Sequence, residues 1–114
     1  MILDPDAIDN IRSLAVDDAQ GFLREIIGIF LTDTPSRINE MQHALESKDA
    51  PAYSRAAHSI KGSAANLGAV SMKAAAEKAE QLGKSGLDGA AEALAAMREE
   101  FTRTRAALEQ LAAG

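Results

Sequence analysis

The chain has 114 residues, no cysteine and a formal net charge of −5, so it accommodates one domain with one core and contains neither disulfides nor thiolate metal sites. The acidic charge argues against nucleic-acid binding, which depends on neutralising phosphates with Lys and Arg, and no apolar run reaches the ~20 residues that span a bilayer. Because Asp4 directly follows a short apolar start, we expect no signal peptide and predict a cytoplasmic protein, with a single domain over residues 1–114, that binds neither nucleic acid nor membranes.

Composition and hydrophobic spacing predict an all-α protein. Alanine is abundant, aromatic residues make up 4% of the chain, and no stretch alternates like a half-buried strand. Asp4 and Pro5 predict the N-cap and first position of a short helix. Asp17 or Asp18 caps a second helix whose broad apolar arc includes Phe22. That arc is either buried between neighbouring helices or partly exposed as a docking surface.

The middle of the chain carries two further helix-start signals. Thr34 and Pro35 repeat the cap-and-proline pattern and predict that a third helix begins there. Asp49 begins the next helix, which we expect to run to Leu67. Gly68 follows at the position where a left-handed residue commonly ends a helix.

Ser71 is predicted to cap the next helix, and Asp88 is predicted to start the last one. The links between helices after residue 45 are short, and short links favour antiparallel neighbours. The predicted architecture is therefore an up-down-up-down four-helix bundle with a short additional N-terminal helix.

Residues 57–68 carry two stripes if they form a helix, in which successive side chains are about 100° apart. The core-facing stripe comprises Tyr53, Ala57, Ile60, Ala64 and Leu67. The other contains His58, Lys61, Gly62 and Ala65, and lies roughly 130° around the helix, pointing away from the core. Because glycine in a helix interior costs about 1 kcal/mol relative to alanine, Gly62 suggests that a large partner approaches this stripe.

Two other kinds of chemistry are less consistent with the pattern. Glu40 and His43 have the E-x-x-H spacing of di-iron bundles, but the second copy of the motif is missing, so a solvated surface pair is expected. His58 and Ser59 are adjacent and point about 100° apart on a helix, so they do not form a base and nucleophile pair.

A phosphate-carrying histidine fits the pattern better. Neutral imidazole is nucleophilic near pH 7 and accepts a phosphoryl group as a labile phosphoramidate. No Asp or Glu occurs between residues 50 and 76, whereas Arg55, Lys61 and Lys73 do, which predicts a local cationic patch on an acidic protein. On the sequence pattern alone, an alanine-rich packing helix with incidental polar residues fits as well as a phosphate-carrying histidine does.

The segment 57–69 resembles the signature of the histidine-containing phosphotransfer (HPt) domain, H-x-[LI]-K-G-[SA]-x-x-x-[LIV]-G. The similarity extends over essentially the whole chain. It implies a helical bundle with a four-helix core and a short extra helix over one end. It also implies a histidine phosphotransfer protein that relays phosphate between a sensor kinase or its receiver domain and a response regulator in a two-component phosphorelay.

By this resemblance His58 is the phosphoacceptor, Lys61 stabilises the phosphoryl group and Gly62 leaves room for the receiver. Ser63 and Asn66 match the motif less diagnostically and are given supporting roles.

Three more residues are predicted to support the site or to dock the partner: Arg55, Phe22 and Glu80. Phe22 lies in the apolar arc that we expect to dock the partner near His58. Glu80 occupies the position where relatives place a polar residue beside the histidine. A carboxylate there accepts a hydrogen bond from the imidazole but also repels phosphate, so its role stays open.

The resemblance further implies a monomeric phosphohistidine carrier without autokinase activity. Its expected partners are receiver domains of response regulators or of a hybrid histidine kinase. No bound cofactor is expected, and Mg²⁺ is expected on the partner receiver domain only. The alternative is a helical-bundle interaction or regulatory module that is not phosphorylated.

Overall fold

The computed structural model describes all 114 residues, Met1–Gly114. Its helices are α1 (Pro5–Ser13), α2 (Ala19–Glu46), α3 (Ala50–Leu67), α4 (Val70–Lys84) and α5 (Ala90–Ala113). The long helices α2 to α5 pack in sequence, and α5 also packs on α2, which closes a four-helix bundle, while α1 lies against α2 and α3. The predicted all-α bundle with a short N-terminal helix is confirmed. None of the five helices is both long and apolar enough to cross a membrane.

Three predicted N-caps are confirmed by side-chain hydrogen bonds. The carboxylates of Asp4, Asp18 and Asp49 each accept a backbone N–H from the first turn of the helix that follows. The last helix begins two residues later than the start predicted at Asp88, which lies in the turn before α5. Gly89 takes the cap position with a φ of 78°, a left-handed conformation that glycine adopts without steric cost.

The helix start predicted at Thr34 and Pro35 is also wrong. The helix α2 runs without interruption from Ala19 to Glu46 and contains Pro35 in its interior. An interior proline costs about 3 kcal/mol, because it lacks an N–H and crowds the carbonyl four residues earlier. Here a buried edge continues across it, with Phe30, Thr34 and Ile38 all buried. Burial on both sides of the proline therefore keeps the two segments in one helix.

The start of α4 differs from the prediction because the N-terminal segment takes part in it. Ser71 is not the cap but lies within the first turn, and Ala69 occupies the cap position without a side-chain hydrogen bond. The backbone N–H of Val70 instead donates to the carbonyl of Ile2 at 2.9 Å. As predicted, Gly68 ends α3 in a left-handed conformation, with a φ of 75°.

The core-facing stripe of α3 is confirmed. All five of its members are at most 1% exposed: Tyr53, Ala57, Ile60, Ala64 and Leu67. In α2, Leu23 and Ile27 are buried and Phe22 packs against the core while remaining partly exposed. Most of the broad apolar arc of α2 is therefore buried between neighbouring helices, and Ile29 is its one large exposed member, at 60%.

The helices α3 and α4 approach closely where small residues face each other. A Cβ atom built on Gly83 would lie 2.9 Å from the ring of Tyr53 and 3.1 Å from the Cβ of Ser54. The hydroxyl of Ser54 donates to the carbonyl of Glu80 at 3.2 Å. Because Glu80 lies about one turn before Gly83, this close approach holds it against the outer face of α3.

Gly83→Ala is expected to lower the free energy of unfolding by about 1–3 kcal/mol, because the added methyl group overpacks the contact with Tyr53 and Ser54. Gly28→Ala is the matched control, since no atom lies within 4 Å of a Cβ on that helical glycine. The control should raise the free energy of unfolding by up to about 1 kcal/mol. Urea unfolding followed by circular dichroism measures both, and equal effects would contradict the close packing.

Candidate functional site

The two neighbours of His58 on the inner side of α3 determine where this histidine points. Ala57 is 0% exposed and Ile60 is 1% exposed, so the opposite face of the helix is turned to solvent. The side chain of His58 is 67% exposed. The predicted outward orientation is therefore confirmed, and the ring is accessible to a macromolecular partner.

A buried carboxylate lies directly beneath the imidazole. The side chain of Glu80 is 6% exposed, and its Oε2 atom is 2.8 Å from Nδ1 of His58. Its Oε1 atom is 2.7 Å from Nζ of Lys61, and Nζ of Lys84 is 3.5 Å from Oε2. Three nitrogen groups from two helices therefore surround this one carboxylate. Their contacts compensate its negative charge despite its burial.

The contact with Glu80 decides which imidazole nitrogen is nucleophilic. An ionised carboxylate only accepts hydrogen bonds, so Nδ1 of His58 must carry the hydrogen and donate it to Oε2. In the neutral ring the other nitrogen, Nε2, then carries the lone pair. His58 is thereby presented as a nucleophile at Nε2, with its Nδ1 side fixed to the protein.

Electrostatics keep this carboxylate ionised. The hydrogen bond from Lys61 is the main cause that lowers the pKa of Glu80 from 4.5 to about 2; burial opposes this effect, and the hydrogen bond from His58 adds to it. Reciprocally, the hydrogen bond to Glu80 raises the pKa of Lys61 above its ordinary value. Both groups are therefore charged at neutral pH, and the negative charge lies at the protonated nitrogen of His58.

A groove between α3 and α4 contains the imidazole. Its polar lining residues are Ser54, Arg55, His58, Ser59, Glu80 and Lys84. Arg55 makes no salt bridge, and Lys84 approaches only Glu80, so both cations face the groove largely uncompensated. Of the three predicted cations, Arg55 lines this groove and Lys61 pairs with Glu80, while Lys84 adds a cation that the predicted patch did not include.

Gly62 lies one turn after His58 on the same face of α3, whereas Ser63 is rotated about 140° around the helix from His58. Gly62 is exposed, and no atom lies within 4 Å of a Cβ built on it. Nothing inside this molecule therefore requires glycine at that position. Ser63 is half-buried and Asn66 is exposed, and neither makes a side-chain hydrogen bond.

The structure does not bring Phe22 to the imidazole. The side chains of Gln20 and Arg24, on either side of it in sequence, donate to carbonyls in the last turn of α5. Arg37, from the same helix, lines a groove together with Ser59. Phe22 lies fifteen residues before Arg37, which is about 22 Å of helix. Its predicted docking role near His58 therefore has no support from this geometry.

The second histidine lies in a different environment. The side chain of His43 is 83% exposed and its Nδ1 is 3.7 Å from Oε1 of Glu46. Glu40 pairs instead with Arg37. Glu40 and His43 are both exposed, so the E-x-x-H motif lies on the solvated surface as predicted, although its two side chains pair with other residues rather than with each other.

Comparison with known proteins gives consistent matches. A family model described as "Hpt domain" matches residues 25–114. The chain is 29% identical over 82 residues to "Multistep phosphorelay regulator 1" of Schizosaccharomyces pombe, a match that covers 72% of this chain. The chain spans only 28% of the length of that relative.

Solved structures also resemble this one over nearly the whole length of this chain. Histidine-containing phosphotransfer protein B from Pseudomonas aeruginosa PAO1 superposes with a TM-score of 0.88 at 26% identity, covering 97% of this chain and 94% of the other. A putative histidine-containing phosphotransfer protein from rice gives a TM-score of 0.85 at 26% identity, covering 97% and 79%.

Glu80→Gln is expected to lower the free energy of unfolding at pH 7 by about 1.5–3 kcal/mol, because the charged acceptor of Lys61 and His58 is lost. Since folding lowers the pKa of Glu80 from 4.5 to about 2, its stabilisation is complete above pH 4.5 and is lost as the pH falls towards 2. Urea unfolding of the wild type and of Glu80→Gln from pH 7 to pH 2 measures their free energies of unfolding. The difference between the two free energies should shrink only below pH 4.5.

The exposed Glu77 of the same helix offers the control. Glu77→Gln should change stability by less than about 0.5 kcal/mol at any of these pH values. A difference between wild type and Glu80→Gln that stays constant down to pH 2 would contradict the lowered pKa.

Proposed function

The chain belongs to the Hpt domain family, the histidine phosphotransfer domains of two-component phosphorelays, and we propose that His58 is the residue on which this protein carries the phosphoryl group. The observation that carries the proposal is the 2.8 Å contact between Nδ1 of His58 and Oε2 of Glu80. It fixes the tautomer whose free nitrogen, Nε2, belongs to an exposed ring. His43 lacks a comparable buried partner.

The transfer step needs only the lone pair on Nε2. That nitrogen attacks the phosphorus of an aspartyl phosphate on a receiver domain, forming the N–P bond as the O–P bond breaks. The electron pair of the broken bond returns to the aspartate carboxylate. The hydrogen on Nδ1 stays in place, and the positive charge that the ring acquires is stabilised by the ionised Glu80. The reverse step delivers the group to another aspartate.

The protein acts in this scheme as a carrier. The family transfers phosphate rather than working as a classical enzyme, and we extend this to the absence of autokinase activity. The only carboxylate in contact with His58 is Glu80, which already accepts from Lys61. The Mg²⁺ that aligns donor and acceptor is therefore assigned to the receiver, and this chain, as a monomer, supplies a rigidly presented imidazole.

The surface around His58 is suited to the acidic pocket of a receiver. Arg55 and Lys84 line the groove beside the imidazole and carry charges of the opposite sign to that pocket. Complementary charge of this kind mainly raises the association rate and selects the partner. Gly62, without neighbours inside the molecule, allows the receiver backbone to approach α3 closely.

Incubation with a phosphorylated receiver should place an acid-labile, base-stable phosphate on the wild-type protein. His58→Gln should abolish this label, because the nucleophilic nitrogen is removed. His43→Gln should keep it, since that histidine is exposed but lacks a buried carboxylate beneath it. Radiolabelled transfer followed by gel electrophoresis measures the phosphate on the wild type and on both variants. A wild-type protein that accepts no label from any receiver of its organism would favour the alternative of an unphosphorylated interaction module.

Gly62→Leu is expected to reduce kcat/KM for transfer from the receiver at least tenfold, which corresponds to about 1.4 kcal/mol. The leucine fits the free protein, because no atom lies within 4 Å of a Cβ at position 62. The effect therefore reports a clash with the partner. Gly28→Leu is the control, at an equally open helical glycine on α2. Circular dichroism should show unchanged helicity for both, and equal transfer rates would contradict the steric role.

A further inference from the structure

The two lysines that approach Glu80 are held very differently. Nζ of Lys61 is 2.7 Å from Oε1, and its side chain is 27% exposed. Nζ of Lys84 is 3.5 Å from Oε2, and its side chain is 67% exposed. Charge-assisted N–H···O bonds are typically about 2.7–2.9 Å long. Lys61 therefore makes a strong hydrogen bond to the carboxylate, whereas Lys84 makes only a long ionic contact.

The atoms of Glu80 reinforce this difference. Oε2, which Lys84 approaches, already accepts the hydrogen on Nδ1 of His58 at 2.8 Å. Oε1 has Lys61 as its only partner. If Lys61 left, Glu80 would lose the main donor that keeps it ionised while buried, and removing one partner of a buried ion pair is strongly destabilising. Lys84 can leave at little cost, since exposed ion pairs contribute about 0–1 kcal/mol.

The position of the groove separates the two lysines as well. Lys84 and His58 line the same groove between α3 and α4, and Lys61 is not among the residues that line it. Lys84 and the imidazole also contact the same oxygen atom of Glu80. A flexible, exposed ammonium group thus lies within side-chain reach of the ring, on a wall of the groove that opens to solvent.

We propose that Lys84, rather than Lys61, provides the counter-charge for the phosphoryl group on His58, and that Lys61 is a positioning residue that holds Glu80 under the imidazole. This inference rests on the proposed function and changes the role of Lys61 from the one that the sequence resemblance implied. On phosphorylation the ammonium group of Lys84 moves from the long contact with Glu80 to the phosphoryl oxygens. Lys61 and Glu80 stay paired in both states.

Loading with phosphoramidate tests the proposal without a receiver. Nε2 of His58 attacks the phosphorus, the P–N bond of the reagent breaks, and ammonia leaves with the electron pair, so the hydrogen on Nδ1 is retained. The protein is labelled with ¹³C-lysine, whose five ε-methylene signals are assigned by substitution. Phosphorylation should shift the signal of Lys84 and leave that of Lys61 nearly unchanged.

Two variants separate the two roles by different readouts. Lys84→Gln should shift the equilibrium of phosphate transfer with a receiver roughly three- to tenfold towards the receiver. It should leave the imidazole ¹⁵N spectrum of the unphosphorylated protein unchanged. Lys61→Gln should change that spectrum, because Glu80 loses its main donor, and Lys61→Arg should restore it. Lys78→Gln, on the wall of the groove between α4 and α5, is the control and should behave like wild type.

A phosphorylation-induced shift at Lys61 with none at Lys84 would overturn the inference and leave the proposed function intact. An unchanged transfer equilibrium in Lys84→Gln would overturn it too. If neither phosphoramidate nor a receiver places phosphate on His58, the proposed function fails, and the inference fails with it.

Discussion

The buried carboxylate of Glu80 is the constraint on which the site depends. A charged group at 6% exposure is tolerated only because two hydrogen-bond donors on α3, His58 and Lys61, satisfy it. Those donors are also groups to which we assign a part in phosphate transfer. The requirement to satisfy the buried charge therefore orders these side chains in the free protein. The imidazole is consequently fixed on its Nδ1 side and free at Nε2, and the ring needs no reorganisation when it reacts.

This arrangement in turn depends on how closely α3 and α4 pack. Gly83 and Ser54 allow the two backbones to approach, and the hydroxyl of Ser54 bonds to the carbonyl of Glu80 itself. The buried stripe on the inner side of α3, from Tyr53 to Leu67, fixes the rotation of that helix about its axis. Packing on one face of α3 therefore determines the chemistry that the other face presents.

Glycine serves opposite purposes at two positions of the site region. At Gly83 a side chain would collide with α3, so the residue is required by the fold. At Gly62 a side chain would meet nothing, so the residue weakens the helix without benefit to the isolated molecule. The contrast distinguishes a glycine that the fold requires from one that the fold does not require. The proposed approach of a receiver to α3 would account for the helix-weakening residue beside the histidine.

Local signals in the sequence determined much of this protein: the caps at Asp4 and Asp49, the left-handed end at Gly68, and the outward face that carries His58. These features depend on residues within one or two turns, which the sequence displays directly. Only the tertiary structure decided that α2 continues through Pro35, and that the two oxygens of Glu80 accept from His58 and Lys61 while Lys84 makes a longer ionic contact. Both outcomes depend on burial and distances between helices. Proline favours the start of a helix, but it is accepted in a helix interior when packing on both sides stabilises the helix by more than the proline destabilises it.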